Sequence, residues 1–218
     1  MKHNTTPKLN FWQEKHRERE MAILASAKKL ILKKGIAKAS MDVIAKEAGL
    51  SRQRLYKYFP NLESVVYSIE IEDMTLFLLF LEGTLDYKPS SSKDFLEHII
   101  TSAFAYAKKN CSDFLFTMAF DSYYGVIKVP AKFGKTYEEL LGGGKISTPF
   151  FNILTEGVKN KEFRADLDFK ETATYWINNL QATIVRYCFF LHKGDEESIN
   201  EAAIIERGFL DSLFRYLK

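Results

Sequence analysis

Four residues between positions 40 and 60 restrict the local fold of this stretch more than any other feature of the sequence. Ser40 and Ser51 each precede a short run with helical spacing, and a serine hydroxyl there can accept a hydrogen bond from the first turn of a helix. Gly49 lies where the first helix must end, because glycine enters the left-handed conformation without a Cβ penalty. Pro60 cannot continue the second helix. The spacing predicts two short helices joined by a tight turn.

This layout is typical of a helix-turn-helix, in which the second helix enters the major groove of DNA. The predicted second helix runs from Ser51 to about Phe59, and Leu55 and Phe59 are spaced to anchor it inward. Arginine and glutamine can pair with guanine and adenine, and lysine and tyrosine suit phosphate oxygens. A short polar helix can also be an ordinary solvated face, but both caps, the glycine and the proline are in register. The predicted DNA-contacting residues are Ser40, Ser51, Arg52, Gln53, Arg54, Tyr56, Lys57 and Tyr58.

The same stretch resembles the signature of the tetracycline-repressor (TetR) family of bacterial transcription regulators. The resemblance covers roughly residues 18–66 and includes Ala27, Leu30 and Gly35 upstream of the helix pair. The residues that carry it are Ile44-Ala45, Ala48-Gly49-Leu50-Ser51, Leu55-Tyr56, Tyr58-Phe59 and Asn61-Leu62-Glu63. It implies a DNA-binding head, a helical body that binds a small effector, and a homodimer built on the last two helices.

Three positions depart from the family's usual pattern. The family often has glycine where this chain has Gln53, a small residue where it has Arg54, and a phosphate-contacting lysine where it has Leu62. The operator sequence therefore does not follow from the relatives of this chain.

Charge divides the chain at the end of the predicted helix-turn-helix. Residues 1–60 hold 14 Lys/Arg and 5 Asp/Glu, a net charge of +9. Residues 61–218 hold 17 Lys/Arg and 23 Asp/Glu, a net charge of −6. A basic segment that coincides with a helix-turn-helix is the electrostatic footprint of DNA binding. The acidic remainder argues against nucleic acid wrapping the whole protein.

Strand-like alternation is absent throughout the sequence, so the expected fold class is all-α, with a three-helix N-terminal head and a larger helical body. The predicted organisation is a mobile N-terminal arm over residues 1–12, a helix-turn-helix domain over 13–60, and a ligand-binding and dimerisation domain over 61–218. No role is assigned to the loop at Gly142–Gly144. The apolar runs are too short for a signal core or a membrane span, and with only two cysteines the expected compartment is the cytoplasm.

The body is rich in aromatic residues, with polar side chains placed beside them on helices that should be buried. A mostly apolar cavity with a few polar groups is typical of a small-molecule site, and the aromatic bias favours an apolar or aromatic ligand. The alternatives are ordinary core packing, exposure, or satisfaction of the polar groups at a dimer interface. The predicted ligand-binding residues are Tyr106, Phe120, Tyr124, Trp176, Asn179 and Thr183.

Three other classes of protein compete with a DNA-binding regulator. An enzyme is disfavoured because the sequence lacks a Gly-rich phosphate loop, Cys-x-x-Cys and His-Glu-x-x-His, so no catalytic residue, metal ligand or cofactor is predicted. A thiol-based redox sensor would use Cys111 and Cys188, although thiols among apolar residues are usually inert. A small-molecule carrier without DNA binding is disfavoured by the basic head. The expected protein is a regulator, most readily a repressor, that binds a near-palindromic DNA operator as a dimer and is released by a small effector.

Overall fold

The computed structural model describes residues 11–125, 129–142 and 147–218, without the side chains of residues 137, 138, 141, 142 and 147. Every regular element in these ranges is a helix, which confirms the predicted all-α class. A short 3-10 helix covers Ile36–Lys38. The α-helices are α1 Phe11–Lys34, α2 Met41–Glu47, α3 Arg52–Tyr56, α4 Leu62–Thr84, α5 Ser92–Lys109, α6 Cys111–Tyr124, α7 Ala131–Gly142, α8 Ser147–Lys159, α9 Phe169–Lys193 and α10 Glu196–Leu217.

The chain forms two compact units, of which the first ends at Ile69 and the second begins at Glu70. This division falls within α4. Of the predicted mobile arm, residues 1–10 lie outside the described residues, and Phe11 and Trp12 belong to the first turn of α1. Of the loop at Gly142–Gly144, Gly142 ends α7 and the other two glycines lie outside the described residues.

The first unit is organised by the local chemistry of its turn. Ser40 and Ser51 each accept a backbone N–H at 3.3 Å, from Val43 and Arg54 respectively. Gly49 has φ of +65°, and the N–H of Leu50 donates to the carbonyl of Ala45 at 2.8 Å. A left-handed glycine followed by such a backbone hydrogen bond is a common way for a helix to end. The predicted helix–turn–helix layout is therefore present.

The second helix is shorter than the sequence predicted. It ends at Tyr56 and not near Phe59, and a turn follows at residues 57 and 58. The N–H of Tyr58 donates to the carbonyl of Leu55 at 2.9 Å, which is the tighter bond of a final helical turn. The physical reason is Pro60, since the residue before a proline is pushed away from helical dihedrals.

The second unit is built around α9. This helix packs against α5, α6, α8 and α10, and its inner face includes the fully buried Ile184 and Cys188. Asp168 caps its N-terminus by accepting the N–H of Glu171 at 2.8 Å. Phe104 of α5 and Leu213 of α10 are also fully buried in the same core. Helices α5, α6, α8 and α10 therefore take their positions from α9.

Candidate nucleic-acid interface and ligand cavity

One side of α3 is buried and the rest of its surface is open to solvent. Leu55 and Phe59 are 0% and 2% exposed, as their spacing predicted, and α3 packs against α2. Half-buried Tyr58 packs on His16 of α1, with 4.6 Å between the ring centroids and 35° between the ring planes. The exposed residues are Ser51, Arg52, Gln53, Arg54, Tyr56 and Lys57, together with Ser40 at the start of α2. This short exposed helix can therefore enter a groove without disturbing its own anchors.

Both capping serines use their oxygen as an acceptor within the head. A serine hydroxyl that accepts a backbone N–H keeps its own hydrogen as a donor. Ser40 and Ser51 can therefore donate to phosphate oxygens while they cap their helices, and their contact with DNA stays a prediction.

Arg52 differs from its neighbours because it is held in place. Its Nη1 lies 3.1 Å from Oδ2 of Asp42 in α2, and its Nη2 donates to the hydroxyl of Tyr56 at 3.4 Å. The guanidinium also lies 5.5 Å from the centroid of the Tyr56 ring. The Tyr56 hydrogen bond and then the Asp42 charge raise the pKa of Arg52 above its usual value. Sequence reasoning missed Asp42, because the glycine turn separates it from the arginine that it contacts.

We expect Asp42→Asn to weaken discrimination between operator and random DNA. The variant removes one exposed negative charge and frees Arg52, so affinity for a random duplex should rise roughly fivefold per subunit at physiological salt. The free energy of unfolding should hardly change, because both partners are more than half exposed. Fluorescence anisotropy on both duplexes measures the ratio of the two affinities. Glu47→Gln, the same charge change at another exposed residue of α2, is the control, and an equal effect of both variants would contradict an orienting role for Asp42.

A cavity of about 160 Å³ lies within the second unit. Its wall is mainly apolar and comes from α4–α10, with Phe77, Phe114 and Leu180 among the lining residues. Polar groups interrupt this wall at Asp73, Asp113, Thr117 and Gln181. The arrangement fits an apolar ligand that carries a small number of polar atoms.

Trp176 also lines this cavity. It is 7% exposed, and among the described residues its buried Nε1 has no hydrogen-bond acceptor. Its ring packs edge to face on Phe209, another lining residue, with 5.5 Å between centroids.

Several carboxylate side chains lie on the side of the cavity formed by α4 and α6. The hydroxyl of Thr117 donates to the carboxylate of Glu70 at 3.1 Å, and Glu70 is 1% exposed. Burial, followed by the charges of Asp113 and Asp73, raises the pKa of Tyr106 to about 12. Tyr106 therefore stays protonated at neutral pH and remains a hydrogen-bond donor.

The six predicted ligand residues differ in their positions relative to the cavity. Trp176 lines the cavity, whereas Tyr106 lies one layer behind it, with its centroid 5.3 Å from that of Phe77. Phe120 and Tyr124 are buried and stack on each other at 5.5 Å, outside the cavity lining. Two further predicted residues, Asn179 and Thr183, are half-buried and also outside the lining.

Sequence reasoning missed the polar members of the lining. One signal could have found Asp73, since it shares a helical stripe with Phe77 and Leu81 and so places a carboxylate on the apolar side of α4. Over the described ranges, no group of three or more His, Cys, Asp or Glu residues has the geometry of a metal site. None of the described helices combines the length and the apolar character that a bilayer crossing requires.

Comparisons with known proteins agree with this geometry. The sequence model described as bacterial regulatory proteins, tetR family, matches residues 23–67. The HTH-type transcriptional regulator EthR of Mycolicibacterium smegmatis is 48% identical over 52 residues, so the match covers about a quarter, 24%, of each chain. The fatty acid metabolism regulator protein of Bacillus subtilis is 26% identical over 179 residues, which are 76% of this chain and 87% of that protein.

Solved structures extend the similarity to the fold of nearly the whole chain. The fatty acid degradation regulator FadR of Bacillus halodurans has a TM-score of 0.67 at 18% identity, over 92% of this chain and 96% of that one. FadR of Bacillus subtilis, solved in complex with stearoyl-CoA, has a TM-score of 0.65 at 20% identity, over 91% and 99%. The helix-turn-helix segment of residues 23–67 therefore matches the tetR family of bacterial regulatory proteins, and the fold of the whole chain is similar to that of solved regulators.

Proposed function

We propose that the protein is a transcriptional repressor, and not an enzyme, that binds a near-palindromic operator as a homodimer and is released by a small apolar or aromatic ligand. The exposed face of α3 carries the proposal. It presents Gln53 and Arg54, which can read base edges, on a helix anchored by Leu55 in the basic part of the chain. Because the operator is bacterial chromosomal DNA, the site of action is the cytoplasm.

Exposed apolar residues on the last two helices support a dimer. Tyr175 of α9 is 57% exposed, and Ile199 and Ile204 of α10 are 50% and 54% exposed. Exposed apolar groups on neighbouring helices are suited to an interface with the same pair in a second copy. A two-fold dimer also presents two copies of α3 to half-sites about 34–36 Å apart, one turn of DNA. The proposed operator is therefore a near-palindrome.

The cavity supports a ligand of apolar character. Its wall combines Phe77, Phe114 and Trp176 with few polar groups. The fatty acid regulators among the similar proteins, one of them solved with stearoyl-CoA, point to the same ligand character. Release follows if the ligand binds more tightly to the conformation that has the lower DNA affinity.

Binding of the purified protein to the intergenic DNA beside its own gene tests the proposal. Fluorescence anisotropy against salt, with a random duplex as control, should give specific binding about a thousandfold tighter and a salt slope of about −0.9 for each phosphate contact. Similar weak binding to both duplexes would contradict an operator at that position. Binding to neither duplex at low salt would contradict DNA recognition and favour a small-molecule carrier.

We expect Leu180→Trp to abolish the ligand response while DNA binding is retained. The larger side chain protrudes into a cavity of about 160 Å³ and reduces the space for the ligand, and the exposed face of α3 is unchanged. Calorimetric titration with stearoyl-CoA and a panel of aromatic carboxylic acids identifies compounds that bind the wild type, and the same titration is repeated on the variant. Leu79→Trp, the same exchange at a residue 52% exposed on α4, is the control. Equal ligand affinity in both variants would place the ligand elsewhere.

A further inference from the structure

The two cysteines of the chain, far apart in sequence, both contact the end of one helix in the second unit. Cys111 begins α6, and Cys188 lies within α9. The thiol of Cys111 donates to the carbonyl of Lys108 at 3.8 Å, and that of Cys188 donates to the carbonyl of Ala107 at 3.6 Å. These carbonyls belong to consecutive residues in the last turn of α5. The two sulfur atoms therefore share one site at the end of that helix.

The two thiols have opposite electrostatic environments. Interaction with Cys188 lowers the pKa of Cys111, and the position of Cys111 at a helix N-terminus favours its thiolate in the same way. The same interaction, followed by burial, raises the pKa of Cys188. Cys111 is thus the nucleophile of the pair.

The two cysteines also differ in solvent exposure, and Cys111 is again the more accessible to reaction. Cys111 is half-buried, and Cys188 is fully buried. A small oxidant dissolved in water therefore reaches Cys111 first. An accessible, activated thiol with a second thiol beside it is the arrangement found in reversible redox sensors.

We propose that Cys111 and Cys188 form a peroxide-sensitive dithiol that closes into an intrachain disulfide. The Cys111 thiolate attacks one oxygen of hydrogen peroxide, the O–O bond breaks, and the departing oxygen takes a proton and leaves as water. The Cys188 sulfur then attacks the Cys111 sulfenic acid, the S–S bond forms, and the S–O bond breaks. The Cys188 proton leaves with that oxygen as a second water. Two thiols are oxidised to one disulfide, and one peroxide is reduced to two waters.

The disulfide would connect two helices that both contribute to the ligand cavity. Phe114 and Thr117 of α6 line it, and so do Trp176 and Ile184 of α9. Oxidation would therefore fix the relative position of two cavity walls. This gives the protein an input that does not depend on the proposed apolar ligand or on DNA binding.

Mass spectrometry of the full-length wild type decides the proposal. The reduced protein is treated with hydrogen peroxide, denatured, and alkylated with N-ethylmaleimide. The expected product has lost two hydrogen atoms and both alkylation sites, and its peptide map joins Cys111 to Cys188. Dithiothreitol should restore both sites. Two alkylated thiols after peroxide, a stable single oxidation of Cys111, or a disulfide between two chains would overturn the proposal.

Two variants test the order of the steps. In Cys188→Ala the sulfenic acid of Cys111 has no partner, so dimedone should label Cys111 in this variant and not in the wild type. In Cys111→Ser the buried Cys188 should remain reduced under the same treatment. Dimedone labelling of Cys188 in the second variant would contradict the assignment of Cys111 as the first residue oxidised.

Discussion

Replacing Gln53 and Arg54 together with alanine is expected to lower operator affinity by at least about a hundredfold, because each good base pairing contributes about 1–3 kcal/mol and a dimer loses both residues twice. Both side chains are exposed on α3, beside the buried anchor Leu55. Their removal leaves the caps and the core of the head intact. The free energy of unfolding should therefore stay close to that of the wild type.

Anisotropy measurements on the operator and on a random duplex separate base reading from general electrostatic attraction. The double variant should lose much more affinity for the operator than for the random duplex. Lys170→Ala removes one exposed positive charge from α9 and is the control, since it should leave both affinities almost unchanged. A uniform loss on both duplexes would mean that Gln53 and Arg54 contact only the phosphate backbone.

Leu55→Ala is expected to destabilise the head by about 2–5 kcal/mol, the usual cost of a large-to-small substitution in a core. Leu55 is fully buried, and its carbonyl also accepts the N–H groups of Tyr58 and Phe59 at the end of the recognition helix. Loss of its side chain removes the packing that positions α3. Operator binding measured at increasing temperature should be lost well below the temperature at which the wild type loses half of its binding.

Leu32→Ala provides the matched comparison, because Leu32 lies in α1 of the same unit and is 37% exposed. Its cost should be well below that of Leu55→Ala, since surface substitutions seldom change stability greatly. Circular dichroism and operator binding, measured on the same samples at increasing temperature, give the midpoint of unfolding and the midpoint of binding loss for each variant. Equal midpoints for the two variants would contradict the role of Leu55 as the anchor of α3.

The sequence allowed the helix pair to be predicted because its determinants are local. Ser40, Gly49 and Ser51 act on backbone groups within a few residues, and the structure places each in the predicted role. The end of α3 was less predictable. Pro60 signals that the helix must stop but does not specify whether its last turn is helical or tightened.

The sites depend on contacts that local patterns do not encode. Asp42 meets Arg52 across the turn, and the cavity takes its wall from seven helices whose mutual packing has no signature in periodicity. Trp176 alone among the six predicted ligand residues reaches the lining, although Asn179 and Thr183 lie on the same helix. Cys111 and Cys188 were each assigned to apolar surroundings, and their proximity appears only when α5, α6 and α9 are assembled.

The positions of the two tryptophans give the protein a built-in optical label. Trp12 is 78% exposed at the start of α1, whereas Trp176 is buried at the wall of the cavity. An indole in water emits at longer wavelength than one in an apolar site, and a dissolved quencher reaches only the former. After the emission of Trp12 has been quenched, the remaining fluorescence comes from the ligand cavity alone. Occupancy of that cavity can thus be followed in the unmodified chain, without an attached dye.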